Sequence, residues 1–292
     1  MRALLTLLLG MAGAASADEG GVSFWLPGQF SSFAAVPGDP GWSLPITYYH
    51  GTADAGAEQS FVRGGRVVAG LDAHSDALFV VPTYVLATPI AGQQASISMR
   101  TAVGRVDVSS GGESDTRSGI GDLYPTLTLR SKNGPHHTMS YTMVGVPSGA
   151  YQVGRLANLG TNHWSLDGGG GYTYLNKETG REFSGVLGFT YNFRNPDTDY
   201  RNGLSSHLDW AASQFLSPQW HAGVVGYWYT QLAGDSGNGA TLGDFKSRVA
   251  ALGPQAGYFY KKLYFNLKGY YEFAARNRPE GWNAWLTVVI RP

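Results

Sequence analysis

Apolar and polar residues alternate with a period of two along much of this chain. The clearest case is residues 182–193, which read EFSGVLGFTYNF. Phenylalanine, leucine and tyrosine occupy odd positions there, and glutamate, serine, threonine and asparagine occupy even ones. Successive side chains of a β-strand point to opposite faces, so this segment has one apolar and one polar face. A run of about ten such residues with aromatic residues near both ends is typical of a strand that crosses an outer membrane.

The same alternation recurs in five further segments: residues 120–130, 164–174, 204–215, 264–273 and 282–291. Short and long connections alternate between the candidate strands, as they do in outer-membrane barrels. The predicted short connections are residues 132–135, 177–180, 217–218 and 261–262, and the predicted long ones are 109–118, 149–160, 195–203 and 233–243. The pattern predicts an all-β protein, an antiparallel transmembrane β-barrel of about 12 strands, with about 14 as the alternative count.

The N-terminal residues indicate export. Residues 1–17 combine Arg2, a short apolar run and an Ala-Ser-Ala cleavage site, which is the pattern of a secretory signal peptide. The next segment, 18–45, mixes large aromatic residues with four prolines, which disfavour a regular central strand. We therefore predict a signal peptide at 1–17, an N-terminal plug or cap at 18–45 and the barrel at 46–292. A disordered periplasmic tail is the alternative for 18–45.

The composition fits a surface that faces lipid. Charged residues make up 14% of the chain and apolar residues 43%, whereas a soluble domain has about 25% charged residues. The absence of cysteine excludes disulfides, thiol catalysis and thiolate metal sites. The formal net charge is zero and there is no basic tail or stripe, so nothing favours nucleic-acid binding.

Three sequence features resemble catalytic or ligand-binding motifs. The run Gly168–Gly171 lacks the Lys-Ser/Thr of a phosphate loop, and we interpret it as a place where a barrel strand curves or a plug approaches closely. Ser205, His207 and Asp209 share one strand face, but residues spaced two apart lie nearly 7 Å from each other, too far for direct hydrogen bonds. No spacing of His, Asp and Glu predicts a metal site. We therefore predict neither catalytic residues nor a cofactor nor a metal.

Charged side chains fall on the predicted interior parity of the barrel. The predicted lumen-lining residues are Arg100, Asp122, Arg130, Asp167, Glu182, His207, Asp209, Lys246, Arg248, Lys268 and Glu272. Both signs are present in similar number, whereas an ion-selective pore has a ring of one sign. We expect these charges to pair across the interior and to narrow it. Phe24, Tyr124 and Trp228 are candidates for an aromatic path through the barrel.

Several long motifs resemble one known family. They are SGIGDLYPTLTLR (118–130), DGGGGYTY (167–174), the 195–210 stretch that ends HLDW, GDSGNGATLGDFKSR (234–248) and NLKGYYEFAARNRPEGWNAWLT (266–287). They resemble the outer-membrane transporter family named for the meta-pathway of phenol degradation. The resemblance implies a β-barrel that admits aromatic or other hydrophobic compounds, and it supplies no catalytic residues. The chain ends Arg-Pro, unlike the many outer-membrane barrels that close on an aromatic residue.

We accordingly expect a channel in the outer membrane of a Gram-negative bacterium that takes up small hydrophobic compounds passively. Its expected partners are outer-membrane lipid and the solute, and its oligomeric state is left open. Two alternatives come from other classes. One is a structural barrel without transport, and the other is a barrel lipid hydrolase that uses Ser205.

Overall fold

We describe the chain from a computed structural model, which defines Glu19 and residues 24–291. The predicted signal peptide and its cleavage site lie outside these residues. Fourteen strands occur in the described part of the chain. They are β1 (Gly41–Arg63), β2 (Arg66–Val80), β3 (Thr83–Val85), β4 (Gln94–Ser110), β5 (Glu113–Ile120), β6 (Tyr124–Asn133), β7 (His136–Gly145), β8 (Ser165–Asn176), β9 (Arg181–Asn192), β10 (Ser205–Phe215), β11 (Trp220–Gln231), β12 (Arg248–Tyr260), β13 (Leu263–Arg276) and β14 (Glu280–Ile290). No helix in this part is long and apolar enough to cross a bilayer.

Twelve of these strands close into one antiparallel barrel. Each pairs with its neighbour along the chain, and β14 closes the ring on β1, with Leu44 opposite Ile290. The two other strands do not add crossings. β3 continues the line of β2 between β1 and β4, and β5 precedes β6 along the same edge of β4. The predicted fold class and the count of 12 are confirmed.

The two ends of the barrel differ in the length of their connections. Connections of two to four residues join β6 to β7, β8 to β9, β10 to β11 and β12 to β13 at one end. Residues 146–164, 193–204 and 232–247 form long loops at the other end. Outer-membrane barrels place short turns in the periplasm and long loops outside, so the first strand starts and the last strand ends at the periplasmic end.

The long connection predicted over residues 109–118 is wrong. β4 extends to Ser110, and β5 returns after a turn of two glycines, Gly111 and Gly112, which both have positive φ. Positive φ at both central residues is the requirement of a type I′ hairpin turn. The return strand reads ESDTRSGI and has no apolar face, because it rises beyond the lipid-facing belt. Its polar composition therefore gave no periodicity that predicts a strand.

The outer wall carries an apolar belt between two aromatic girdles. Exposed aromatic residues near the periplasmic end are Trp42, Tyr84, Phe183, Trp220 and Tyr260, and those near the other end are Trp164, Tyr191, Phe193, Trp228, Tyr271, Phe273 and Trp282. Exposed aliphatic residues lie between them, among them Leu78, Ile97, Leu127, Leu187, Leu208, Leu252 and Leu286. Such a belt is what a barrel presents to the hydrocarbon of an outer membrane.

The N-terminal segment lies inside the barrel. We call residues 24–37 the plug. The backbone of Glu19 accepts a hydrogen bond from Gly64, in the β1–β2 hairpin at the long-loop end. The side chain of Gln94, at the periplasmic start of β4, donates to the Gly38 carbonyl just beyond the plug. The described residues of this segment therefore contact both ends of the lumen, Glu19 at the long-loop end and Gly38 at the periplasmic end. β1 begins at Gly41, so the last five residues of the predicted 18–45 range are barrel rather than plug, and Pro45 is accommodated near the end of a strand.

Glycines of β8 let neighbouring strands approach closely. A Cβ at Gly169 would lie 2.7 Å from the Gly188 Cα in β9, whereas a Cβ at Gly168 would meet nothing nearer than the Tyr141 carbonyl at 3.5 Å. Residues 168–171 continue as regular strand paired with β7 and β9. This glycine run is a structural feature of the barrel wall.

Candidate functional site

Two carboxylates on the barrel wall bind the backbone of the plug. Asp209 of β10 accepts hydrogen bonds from the Gly28 and Phe30 N–H groups at 2.9 and 3.0 Å. Glu182 of β9 accepts from the Phe33 N–H at 3.0 Å and from the Ser32 hydroxyl at 2.7 Å. Hydrogen bonds to ionised acceptors are the stronger kind, so these two residues fix the plug against β9 and β10.

Two cations bind plug carbonyls. Lys268 of β13 donates to Gly28 at 2.5 Å, and Arg130 of β6 donates to Ala34 at 3.2 Å. The plug backbone thus stands between wall charges of opposite sign. The expected pairing across the interior is therefore wrong for three of the predicted lumen cations, Arg100, Arg130 and Lys268. None of them has an ion pair within 4.0 Å in the described structure.

An aromatic stack holds the upper part of the plug. Trp25 is 1% exposed, and its ring lies parallel to that of His207, with centroids 3.5 Å apart. The His207 Nε2 atom lies 2.9 Å from Asp167 Oδ2, and neither side chain is exposed. Phe24 packs edge-on against Tyr124, with centroids 5.4 Å apart. A Cβ at Gly145 would lie 2.7 Å from the Phe24 ring, so the wall is shaped to admit that ring.

A cavity of about 310 Å³ remains beside the plug, and we call it the lumen chamber. Plug residues Gln29, Phe30 and Ser31 form one side, and strands β1–β4, β6, β7, β13 and β14 form the other. It reaches from Lys268 and Trp285 to Pro45 and Arg130, so it lies in the periplasmic half of the lumen. The half of the lumen nearer the long loops, which we call the upper half, is filled by buried side chains, including Phe61, Leu71, Val108 and Leu156.

The lumen charges are segregated. The carboxylates Asp167, Glu182 and Asp209 come from β8, β9 and β10, the side of the barrel against which the plug packs. The cations Arg100, Arg130 and Lys268 line the lumen chamber on the other side, and no Asp or Glu is among the described residues that line it. The predicted lumen residues therefore include both signs in similar number, but the negative and positive side chains lie on different sides of the lumen.

Other predicted lumen residues have different surroundings. Asp122 is buried between β5 and β6 and accepts from the backbone of Gly149 and Thr161, so it anchors the 146–164 loop. Glu272 is buried nearer the long-loop end, where it accepts from the Tyr227 hydroxyl at 2.6 Å and faces Arg278 at 3.4 Å. Arg278 is not among the predicted lumen residues, because it lies in the connection after β13, where no strand parity can be assigned.

Two predicted lumen residues lie elsewhere. Arg248 is exposed, because β12 turns Val249 and Ala251 inward and therefore turns its even residues outward. Lys246 lies in the loop before β12, beside Asp244 at 3.5 Å. The aromatic-path candidate Trp228 is also wrong, since it is 41% exposed on the outer wall.

Two of the three residues Ser205, His207 and Asp209 have separate partners. His207 faces Asp167 of β8, and both Asp209 oxygens accept from plug N–H groups. The inward-facing polar residues His207 and Asp209 of β10 thus contact the plug rather than each other. In the described residues no group of three His, Asp or Glu is placed to hold a metal ion.

Glu19 anchors the chain at the long-loop end. Its carboxylate accepts hydrogen bonds from Asn195 at 2.9 Å and Tyr151 at 3.1 Å, which belong to two different loops. Burial raises the pKa of the Glu19 carboxyl above its ordinary value, and the hydrogen bonds from Asn195 and Tyr151 offset part of that rise.

With the geometry defined, comparison with known proteins identifies the family. The family model described as "Putative MetA-pathway of phenol degradation" matches residues 57–288. The chain belongs to this family. The resemblance drawn from its motifs is thereby confirmed. None of the curated proteins matches the chain.

Solved structures show the same fold. The protein is similar to the COG4313 outer membrane channel from Pseudomonas putida F1, with a TM-score of 0.73 and 17% identity over 88% of this chain and 98% of that one. It is also similar to the β domain of the Bordetella autotransporter BrkA, with a TM-score of 0.55 and 9% identity over 87% of this chain and all of that one. The protein thus shares the β-barrel fold of these two structures.

Proposed function

We propose that the protein is a passive channel of the Gram-negative outer membrane that admits small hydrophobic compounds, including aromatic ones. The observation that carries this proposal is the lumen chamber, which lies beside a plug held by hydrogen bonds rather than by covalent bonds. Its volume of about 310 Å³ falls in the range of small-molecule sites. The family description, which names phenol degradation, supports the choice of aromatic compounds.

The chamber combines apolar and polar surfaces. Phe30, Phe79 and Trp285 contribute ring surface, and the stacked Phe79 and Trp285 rings have centroids 6.1 Å apart. Threonine and serine hydroxyls of β1, β4 and β6 contribute hydrogen-bonding groups. Small-molecule sites have this composition, with mostly apolar lining and a few polar groups that orient the ligand.

We further propose that residues 1–17 are removed on export and that the plug docks in the lumen of the mature barrel. In this arrangement, solute entry requires two movements: the plug shifts, and so do the side chains that fill the lumen nearer the long loops, including Leu156 of the 146–164 loop. The hydrogen bonds of Asp209, Glu182 and Lys268 set the free energy of that shift.

The test is the entry of a labelled neutral monoaromatic compound, beside a labelled sugar, into cells with and without the protein. We expect faster entry of the aromatic compound and unchanged entry of the sugar. Equal rates for both strains would contradict transport and favour a structural barrel. Loss of detergent resistance in the deleted strain, without any change in entry, would point the same way.

A further inference from the structure

The lumen chamber has the electrostatics of an anion site. Arg100, Arg130 and Lys268 all line it, and no carboxylate is among the described lining residues. From outside the lining, Asp209 interacts electrostatically with Lys268 and, together with Asp167, with Arg100, so three cations face two carboxylates. Charges in a narrow, protein-walled space act through a lower dielectric than water, so they concentrate ions of opposite sign. Pores that carry side chains of one sign select ions on this basis.

Two hydrogen-bond donors of the chamber lack partners. The Arg100 Nε and the Gln29 Nε2 are buried and have no hydrogen-bond partner among the described residues. Two short-range contacts of Arg100 are weak: its Nη2 lies 3.7 Å from the Met143 sulfur, and its guanidinium lies 4.8 Å from the Tyr124 ring centroid. Buried donors are normally satisfied. A guanidinium with free N–H groups is suited to bind a carboxylate through two parallel hydrogen bonds.

The cations are spread along the chamber. Arg100 stands opposite Tyr124, and Arg130 stands opposite Gln94, six residues further along the same ladder, or about 20 Å by strand rise. Lys268 lies on β13, at the other edge of the same arc of strands, with its ammonium 4.8 Å from the Trp285 ring centroid. An anion moving toward the periplasmic end would therefore pass from one cation to the next.

Aromatic rings lie between these cations. Trp285 stacks on Phe79, and Phe30 of the plug closes the same space. A ligand that uses both features has a flat apolar ring and one negative charge. We propose that the chamber selects small aromatic carboxylates over neutral and cationic aromatic compounds of the same size. This inference rests on the proposed function, because it names the solute class for the same passage.

Binding is the first test, because it does not depend on transport. The full chain in detergent is titrated with benzoate, benzyl alcohol and phenyltrimethylammonium at low salt, and affinity is measured by calorimetry. We expect benzoate to bind at least about tenfold more tightly than either of the others, since a charge-assisted hydrogen bond is worth that much or more. Salt at about 1 M should reduce this preference.

Substitutions test which cations are responsible for the preference for benzoate. Arg100→Gln and Arg130→Gln should each lower benzoate affinity by about tenfold, while Arg100→Lys should keep part of the preference through its charge. Arg248→Gln is the matched control, because Arg248 is exposed on the outer wall. Heat-dependent migration on gels checks that each variant keeps its barrel. If one glutamine variant fails to fold, the other carries the test.

Transport then separates the two proposals. Proteoliposomes are given labelled benzenesulfonate or phenyltrimethylammonium, whose fixed charges prevent leakage through lipid. Preferential binding of benzoate without entry of any aromatic compound would contradict the proposed channel but support the anion site. Entry of a neutral aromatic into cells, combined with equal binding of all three probes, would support the channel and overturn the anion site. Equal entry of both charged probes would also overturn it.

Discussion

The indole ring of Trp25 lies flat on the imidazole of His207, with 3.5 Å between centroids and an angle of 12° between the ring planes. The contact joins the plug to β10 close to its long-loop end, where the strand begins at Ser205. Phe30 and Tyr141 extend the stack, with centroids 5.8 and 6.2 Å from Trp25. This is the most buried aromatic contact of the plug, and its removal should loosen the plug without touching the strand ladder.

Replacing Trp25 with alanine should open the lumen. The loss of a buried aromatic ring costs about 3–5 kcal/mol, which is a large part of any free energy that docks one short segment. We expect single-channel conductance in planar bilayers to rise, with the barrel still resistant to detergent below its heating transition. Trp42→Ala is the control, because Trp42 is 63% exposed on the outer wall. Unchanged conductance in Trp25→Ala would show that the stack does not hold the passage closed.

Replacing Asp209 with asparagine should weaken the same docking from the polar side. An amide has one carbonyl oxygen to offer two N–H groups, so one plug donor is left unpaired at a cost of about 1–3 kcal/mol. We expect faster hydrogen exchange at the Gly28 and Phe30 amides, measured by mass spectrometry of the plug peptide. The Asp72→Asn variant, altered at an exposed outer position, should exchange like the wild type. Equal exchange in both variants would rule out Asp209 as an anchor.

The attachment of the N-terminal segment should depend on pH through Glu19. Burial raises the pKa of this carboxyl in the folded state. A raised carboxyl pKa stabilises the fold fully below the unfolded value, and the contribution is lost as pH rises through the folded value. We therefore expect greater protection of the Gly64 amide, which donates to the Glu19 carbonyl, from hydrogen exchange at pH 4–5 than at pH 7, after correction for the intrinsic pH dependence of exchange.

Glu19→Gln should remove that part of the pH dependence. The pKa of Asp235, in another loop at the same end, is also raised by burial and has the same sign. The difference between wild type and Glu19→Gln isolates Glu19 from this background. Parallel pH profiles in the two proteins would mean that Glu19 ionises freely and would contradict the prediction.

The glycine run of β8 can be tested with two neighbouring substitutions. Valine at position 169 would place its Cβ against the backbone of β9, which cannot move without breaking the ladder, so Gly169→Val should cost about 1–3 kcal/mol or more. Gly168→Val, on the other parity, meets only ordinary contacts. We expect a reduced folded fraction on unheated gels for the first variant alone. Equal folded fractions for both variants would show that the backbones of β8 and β9 can move apart at Gly169 and would contradict the prediction.

The sequence predicted the features that depend on side-chain parity. Asp167, Glu182 and Asp209 lie in strands whose other face is rich in large apolar residues, so their orientation could be inferred. Arg248 precedes VAALGPQAG, where small and apolar residues occupy both parities, and the period there does not distinguish inside from outside. A register irregularity between Arg248 and Ala250 adds to the ambiguity.

The charge segregation could not be predicted in the same way. It depends on which strands become neighbours around the ring and on which side the plug packs. In the sequence, Arg130 and Asp209 are both predicted inward-facing polar residues. The position of the plug between them distinguishes the two: Arg130 lines the chamber and donates to a plug carbonyl, whereas Asp209 accepts from two plug N–H groups.

The seam between β1 and β14 constrains how the molecule assembles. Leu44 and Ile290 meet there, so the last ladder to form joins the two ends of the barrel domain. Contacts this distant in sequence are slow to form, because a long stretch of chain must be ordered first. The segment that precedes β1 must enter while the wall is still open or be threaded afterwards from the periplasmic side. If the β1–β14 ladder forms before the plug enters, the closed barrel has a water-filled lumen. The order of barrel closure and plug entry therefore decides whether the newly folded protein is closed or open to solutes.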